Sequence, residues 1–239
     1  IFKKIDIMPD SNNHNFLSES LSKGIEKFSK FFSKNKPHLL IVLGDRFEIL
    51  SCSISAYFLN IPIGHINGGE TTEAAFDEGI RHSISKMSYL HFPSTELYRK
   101  RIIQLGESPE RVYNVGGLFI DSIKNSDILS REDLENKTGI TFQNKNLLVT
   151  YHPETLNDYS NNSLDNLLKA LEDNPGLNYI FTAPNADPGN DKIFDKISSF
   201  VNKNQKKSIL FKSLGHKNYI SCLNQVDGII GNSSSGITE

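Results

Sequence analysis

Gly44-Asp45-Arg46 sets a carboxylate beside a guanidinium at the end of the apolar run Leu39–Leu43. Such a pair can act as general base and phosphate clamp, although an Asp there can equally cap the helix that follows. A denser group comes next: His65-Ile66-Asn67-Gly68-Gly69-Glu70, then Glu73, Asp77 and Glu78, then Arg81-His82. Gly68-Gly69 permits a sharp turn and a close backbone approach to a ligand. Carboxylates gathered at a strand end raise one another's pKa and suit acid/base work. Asp77 and Glu78 also complement the dipole of a helix starting there, and Arg81 can simply pair with either. Three weaker signals lie downstream. Tyr151-His152-Pro153-Glu154 offers an imidazole to a phosphate or ribose. Pro184-Asn185-Ala186-Asp187 offers Asn185, a residue type equally common in turns. Asn232-Ser233-Ser234-Ser235-Gly236 opens a helix with N–H and hydroxyl groups suited to a diphosphate, and a carboxylate further on, Glu239, can take both ribose hydroxyls. A plain serine N-cap is the simpler account of that turn.

The elements that must position these residues follow from the alternation of short β-branched runs with amphipathic stretches. Strands are expected at Leu39–Leu43, Ile61–Ile66, Tyr89–Phe92 and Val112–Val115, with helices at Phe47–Leu59, Glu78–Ser88 and Thr95–Leu105. A second series has strands at Asn146–Tyr151, Tyr179–Thr182, Ser208–Phe211 and Val226–Ile230, with helices at Leu164–Glu172, Lys192–Asn202 and Lys217–Asn224. Strands alternating with helices of this length imply parallel sheets. Each polar motif falls at the carboxyl end of a strand, where open parallel sheets bind ligands. The polar stretch Lys124–Gln143 separates the series as an inter-domain connection. The fold class expected is therefore α/β with two Rossmann-like domains, residues 1–123 and 124–239.

Composition narrows the function classes. With 26 basic against 28 acidic residues the net charge is −2, so no basic field draws the chain to nucleic acid or an anionic membrane. No apolar run approaches the roughly 18 residues that span a bilayer, and no signal peptide is visible. Cys52 and Cys222 lie far apart in apolar contexts, as buried hydrophobes of a reducing compartment do. The cytoplasm is the expected location. No metal cluster and no redox cofactor motif is visible, so neither is expected. The sequence starts without Met and stops at Glu239 inside an active-looking motif, which reads as truncation at both ends.

Together, Gly44-Asp45-Arg46-Phe47-Glu48, His65 with Gly68-Gly69-Glu70, Asp77-Glu78-Gly79-Ile80-Arg81-His82-Ser83-Ile84-Ser85-Lys86-Met87-Ser88 and Gly231-Asn232-Ser233-Ser234-Ser235-Gly236 resemble, in order and spacing, the hydrolysing UDP-N-acetylglucosamine 2-epimerases. The resemblance runs from about residue 37 to the end. It implies two Rossmann-like domains of the GT-B type with a UDP-sugar between them, a homodimer or homotetramer, and a place in sialic or legionaminic acid synthesis. It further implies Asp45, Glu70 and Asp77 at the sugar, and Arg46, His152, Asn185, Ser233, Ser234 and Glu239 at the UDP. Many relatives acting on UDP-N-acetylglucosamine carry a catalytic Glu where this chain has Asn67. Asn cannot be a general base, so Glu70 or Asp77 takes that proton transfer or the substrate is a UDP-2,4-diacetamido-trideoxyhexose.

The implied chemistry is loss of UDP and of the C2 proton to give a 2-acetamidoglycal, then addition of water at C1 with protonation of C2 on the opposite face. Asp77 and Glu70 are expected to move protons, with Asp45 activating water or orienting the sugar. Three alternatives share the nucleotide site. A non-hydrolysing epimerase normally carries His-Arg-x-Glu-Asn where His152-Pro153-Glu154 stands here. A GT-B glycosyltransferase needs an acceptor pocket. A non-catalytic nucleotide-sugar sensor has no use for clustered carboxylates.

Overall fold

The structure is a computed structural model that describes residues 3–8, 15–72, 75–153, 160–185 and 189–238. The chain divides into two compact units, Ile1–Leu118 and Phe119–Glu239. The boundary falls at the start of a short helix, Leu118–Lys124, ahead of the expected one.

The first unit begins with a helix that no expectation above covers, α1 (Phe16–Asn35). It is followed by β1 (Leu40–Leu43), α2 (Phe47–Phe58), β2 (Ile63–Ile66), α3 (Asp77–Met87), β3 (Leu90–Phe92) and α4 (Glu96–Gln104). The sheet is parallel in the order β1-β2-β3. Val42 and Ile63 bury against Cys52 and Ala56 of α2, Ile84 of α3 and Phe32 of α1, which fixes the helices on that face. Thr95 caps α4, its hydroxyl accepting from Tyr98 N–H at 3.2 Å, as its residue type foretells.

The strand expected at Val112–Val115 forms only a single parallel bridge, His91 to Val112. The segment does run beside β3, for Tyr113 N–H donates to His91 O and Val115 N–H to Pro93 O. Pro93 has no N–H to donate back, so the ladder cannot continue.

The second unit opens with α5 (Leu118–Lys124) and α6 (Arg131–Thr138). Then come β4 (Asn146–Thr150), α7 (Ser160–Glu172), β5 (Asn178–Thr182), α8 (Asn190–Lys203), β6 (Ser208–Phe211), α9 (His216–Leu223), β7 (Gly228–Gly231) and α10 (Ser235–Thr238). All pairings are parallel in the order β6-β5-β4-β7. Alternate residues of the central strands fill opposite faces. Val149 and Phe181 pack on α7 and α8, while Leu148 and Ile180 pack on the layer holding Leu134, Leu214 and Cys222. Burial on both faces is the mark of a parallel sheet. Lys124–Gln143 is thereby corrected from connection to core. Its charged residues mask Leu134, Ile140 and Phe142, which are buried under the sheet. Both cysteines are buried, and burial pushes each thiol up to about 12. Among the described residues no helix is long and apolar enough to cross a membrane.

Candidate active site

In the first unit the charged groups converge on Arg81. It lies on the buried face of α3 with Ile84, Ser85 and the following Ser88, only 3% exposed. A guanidinium taken out of water must be matched by acceptors. It has three: an ion pair to Asp45, Glu78 Oε2 at 3.1 Å and the Thr72 hydroxyl at 2.8 Å. Its Nε has no hydrogen-bond partner among the described residues.

Asp45 reaches Arg81 because the chain leaves β1 through Gly44 at φ +82°, a left-handed conformation that favours glycine. Gly44 itself is tied to β2, its N–H donating to Ile66 O at 3.2 Å. Glu70 is held by Ser94, whose hydroxyl donates to it at 3.2 Å. Burial raises the Glu70 pKa. Ser94 and Arg81 pull it back, and Asp45 adds to the rise, which places Glu70 within the field of the Asp45–Arg81 pair. The turn before it requires Gly69, at φ +81°, where a Cβ would stand 2.5 Å from the Tyr98 carbonyl oxygen.

Glu78 departs from the expectation that the gathered carboxylates raise one another, while Glu70, raised in part by Asp45, follows it. Burial pushes its pKa up, but Thr72 N–H at 2.6 Å, His82 and Arg81 outweigh that and bring it down. For Glu78 the Thr72 N–H and His82 outrank the buried cation, which adds the smallest part of the fall. Asp77, half-buried, is the first residue of α3, one helical turn before Arg81. Arg46 sits with Nε 3.4 Å from Glu48 and its guanidinium 5.8 Å from the Phe47 ring centroid.

His65, fully buried on β2, touches this group from behind. Its Nε2 lies 2.8 Å from Gly44 O and its Nδ1 3.1 Å from the Ser85 hydroxyl. Burial lowers its pKa to about 4. The Gly44 carbonyl and Asp45 work against that fall, while His91 and Arg81 work with it. Since the ordinary value is 6.5, the unfolded state binds this proton first. Stability is complete above about pH 6.5 and falls as pH drops towards 4, by about 3 kcal/mol at most. His91, lowered by burial, adds in the same sense. Urea unfolding at pH 7 and pH 4.5 is expected to show this fall. His65→Gln is expected to flatten it; an unchanged slope in that variant would assign the effect elsewhere.

In the second unit the strand ends surround a cavity of about 330 Å³ whose walls include Thr150, His152, Thr182, Lys212, Ser233 and Ser235. His152 is locked from both sides. Its N–H donates to Asn232 Oδ1 at 2.8 Å, and Asn232 Nδ2 donates to its carbonyl at 3.0 Å. Asn185 N–H donates to His152 Nδ1 at 3.2 Å. An Nδ1 that accepts leaves the proton on Nε2, the tautomer able to donate to an anion. Ser235 accompanies Ser233 in the wall, their hydroxyls 3.0 Å apart, with Tyr219 OH 2.7 Å from Ser235. Ser234 stands outside the lining. Glu239, Glu73, Glu154 and Asp187 lie outside the described residues. Lys212 and His216 were not singled out from the sequence, although the end of β6 was a visible signal for them. For Arg81 the signal was its spacing with Ile84, Ser85 and Ser88, which is that of one helix face.

A family model described as UDP-N-acetylglucosamine 2-epimerase matches residues 1–239. The chain belongs to this family. It is 41% identical over 240 residues to "GDP/UDP-N,N'-diacetylbacillosamine 2-epimerase (hydrolyzing)" of Campylobacter jejuni, covering 100% of this chain and 62% of that relative. It is 40% identical to "Polysialic acid biosynthesis protein P7" of Escherichia coli, covering 100% of the chain and 61% of the relative. The chain thus spans under two thirds of the length of these curated relatives. Among solved structures, UDP-GlcNAc 2-epimerase of Methanocaldococcus jannaschii in complex with UDP-GlcNAc and UDP matches with a TM-score of 0.77 at 18% identity, over 94% of this chain and 62% of that one. The Neisseria meningitidis enzyme bound to UDP-GlcNAc matches with a TM-score of 0.74 at 18% identity, over 95% and 62%. At such identities the likeness concerns the fold, which is the two-unit Rossmann-like, GT-B-type α/β class expected from the sequence.

Proposed function

We propose that the protein containing this chain is a hydrolysing 2-epimerase. It converts a UDP-N-acetylhexosamine and water to UDP and the free 2-epimer. The observation that carries the reading is the buried Arg81 holding Asp45 and Glu78, with Glu70 beside them at a raised pKa. A buried cation that anchors two carboxylates beside a third of raised proton affinity, with Asp77 one helical turn away, makes a site suited to hold a sugar and move protons. The family and the Campylobacter jejuni relative support it.

In the first half-reaction the C1–O bond breaks, its electron pair leaves with UDP, and a carboxylate takes the C2 proton to give the 2-acetamidoglycal. Asp77 is the proposed base and Glu70 the proposed acid. In the second, water adds at C1 and a proton returns to C2 on the opposite face. Inversion needs groups on both faces, which separate carboxylates supply. Asp45, immobilised by Arg81, orients the sugar or the water. Of the residues expected at the UDP, His152 Nε2–H and Ser233 line the second unit's cavity and hold the leaving diphosphate. Asn185 serves through its backbone N–H on His152, and Glu239 takes the ribose.

Asn67 in place of a catalytic Glu, with the diacetylbacillosamine name of the relative, favours a 2,4-diacetamido-trideoxyhexose as the sugar. The same reading carries a cytoplasmic homo-oligomer in sialic- or legionaminic-type sugar synthesis. The test gives the full-length protein UDP-N-acetylglucosamine and its diacetamido analogue in deuterium oxide and identifies the free sugar by NMR. The expected product is the 2-epimer with deuterium at C2. Release of UDP with an unexchanged C2 proton would overturn the mechanism. Asp77→Asn is expected to lower kcat about a hundredfold; near-normal turnover removes Asp77 from the proton transfer.

A further inference from the structure

We propose that His65 is a positioning residue for the Asp45–Arg81 centre, acting as a neutral imidazole that clamps the turn carrying Asp45 to the helix carrying Arg81. The inference rests on the functional reading above only in taking that centre as the site of reaction. Three observations carry it. First, the Gly44 carbonyl 2.8 Å from Nε2 can only accept, so Nε2 must bear the proton. Gly44 is the last residue before Asp45, at a left-handed turn where the carbonyl has left the β1 ladder. Second, an imidazole protonated on Nε2 alone presents a lone pair at Nδ1, which the Ser85 hydroxyl meets at 3.1 Å. Ser85 lies one helical turn beyond Arg81 on the same buried face of α3. One ring therefore joins the peptide ahead of Asp45 to the turn of helix after Arg81.

Third, the loop beyond β2 is shaped around this link. A Cβ at residue 68 would lie 2.9 Å from Ser85 Oγ and 3.0 Å from His65 Nδ1, so Gly68 is the residue that leaves the bond room. His65 and Ser85 are both fully buried, so neither bond has water as a substitute, and loss of one leaves an orphaned carbonyl or hydroxyl. Freed from the ring, the turn at Gly44–Asp45 keeps, among the described residues, the Gly44 N–H bond to Ile66 O and the Asp45 side-chain contact with Arg81.

Nitrogen NMR of the full-length protein labelled in histidine decides the first part without reference to activity. The expected signature at pH 7 is a neutral ring protonated on Nε2; a ring protonated on Nδ1, or a cationic one, overturns the proposal. Kinetics on the sugar-nucleotide substrate decide the second. His65→Gln keeps an N–H donor within reach of Gly44 O and is expected to hold kcat per folded molecule within about threefold of normal. His65→Leu removes both bonds and is expected to lower kcat about a hundredfold, the scale of a misplaced catalytic group, with KM much less changed. If kcat per folded molecule is the same in both variants, His65 is a packing residue and the proposal fails. Asp45→Asn is measured alongside. Normal turnover there would sink the functional reading, while the tautomer would still decide whether His65 holds Gly44.

Discussion

Arg81→Met is expected to cost the first unit about 3–5 kcal/mol and to abolish measurable turnover. Met has a stem of similar length and no charge. It leaves Asp45, whose side chain is 23% exposed, and Glu78 facing each other with no cation. The cost is that of uncompensated charge in a poorly solvated place, not the net worth of an ion pair. The double variant Arg81→Met with Asp45→Asn is therefore expected to recover part of the stability, though not the activity. Because the loss comes from ionised carboxylates, it is expected to shrink as pH falls towards their protonation. Thermal unfolding of the single and double variants at pH 7.5 and pH 5 measures all three claims. A single variant as stable as the unsubstituted protein would show that Arg81 is not the electrostatic anchor of this group.

Gly231→Ala is expected to destabilise the second unit by about 4 kcal/mol or more, at the upper end for one methyl group. Gly231 pairs with Thr150 at the end of the β4–β7 ladder and has φ +146°, which L side chains rarely adopt. A Cβ there would lie 1.7 Å from the Thr150 carbonyl oxygen and 2.8 Å from its carbon. Both are backbone atoms of a central strand, so relief requires breaking the pairing that carries His152 and Asn232 towards each other. Gly228→Ala is the control, since its Cβ would meet only the far end of the Leu147 side chain at 3.2 Å. That change is expected to cost about 1 kcal/mol or less, within the range of an ordinary tolerated repacking. Urea unfolding of the two variants compares them directly. Similar midpoints would mean that the β4–β7 junction yields more readily than its geometry indicates.

Local signals were strong enough to place the elements that carry the site. Alternation of apolar strands with amphipathic helices gave two parallel-sheet units, and the polar motifs at Asp45, Glu70, His152 and Ser233 stand at or just after strand ends because parallel sheets leave only their loops polar. The Ser/Gly and Gly-Gly runs marked turns because glycine takes φ above zero without a Cβ clash, as Gly69 and Gly231 do. What the sequence could not supply were relations between segments distant along the chain. Asp45 and Arg81 are joined across 36 positions, and which acid Arg81 would choose depended on where Gly44 turns. The opposite pKa directions of Glu70 and Glu78 depend on burial and on the Thr72 N–H, neither of which is a property of residue type. The tautomer of His65 is set by a carbonyl 21 positions away, and that of His152 by an N–H 33 positions away. Periodicity and turn chemistry are local and survive in the one-dimensional order. Charge matching, desolvation and proton placement are sums over neighbours in space, and only the folded chain determines who those neighbours are.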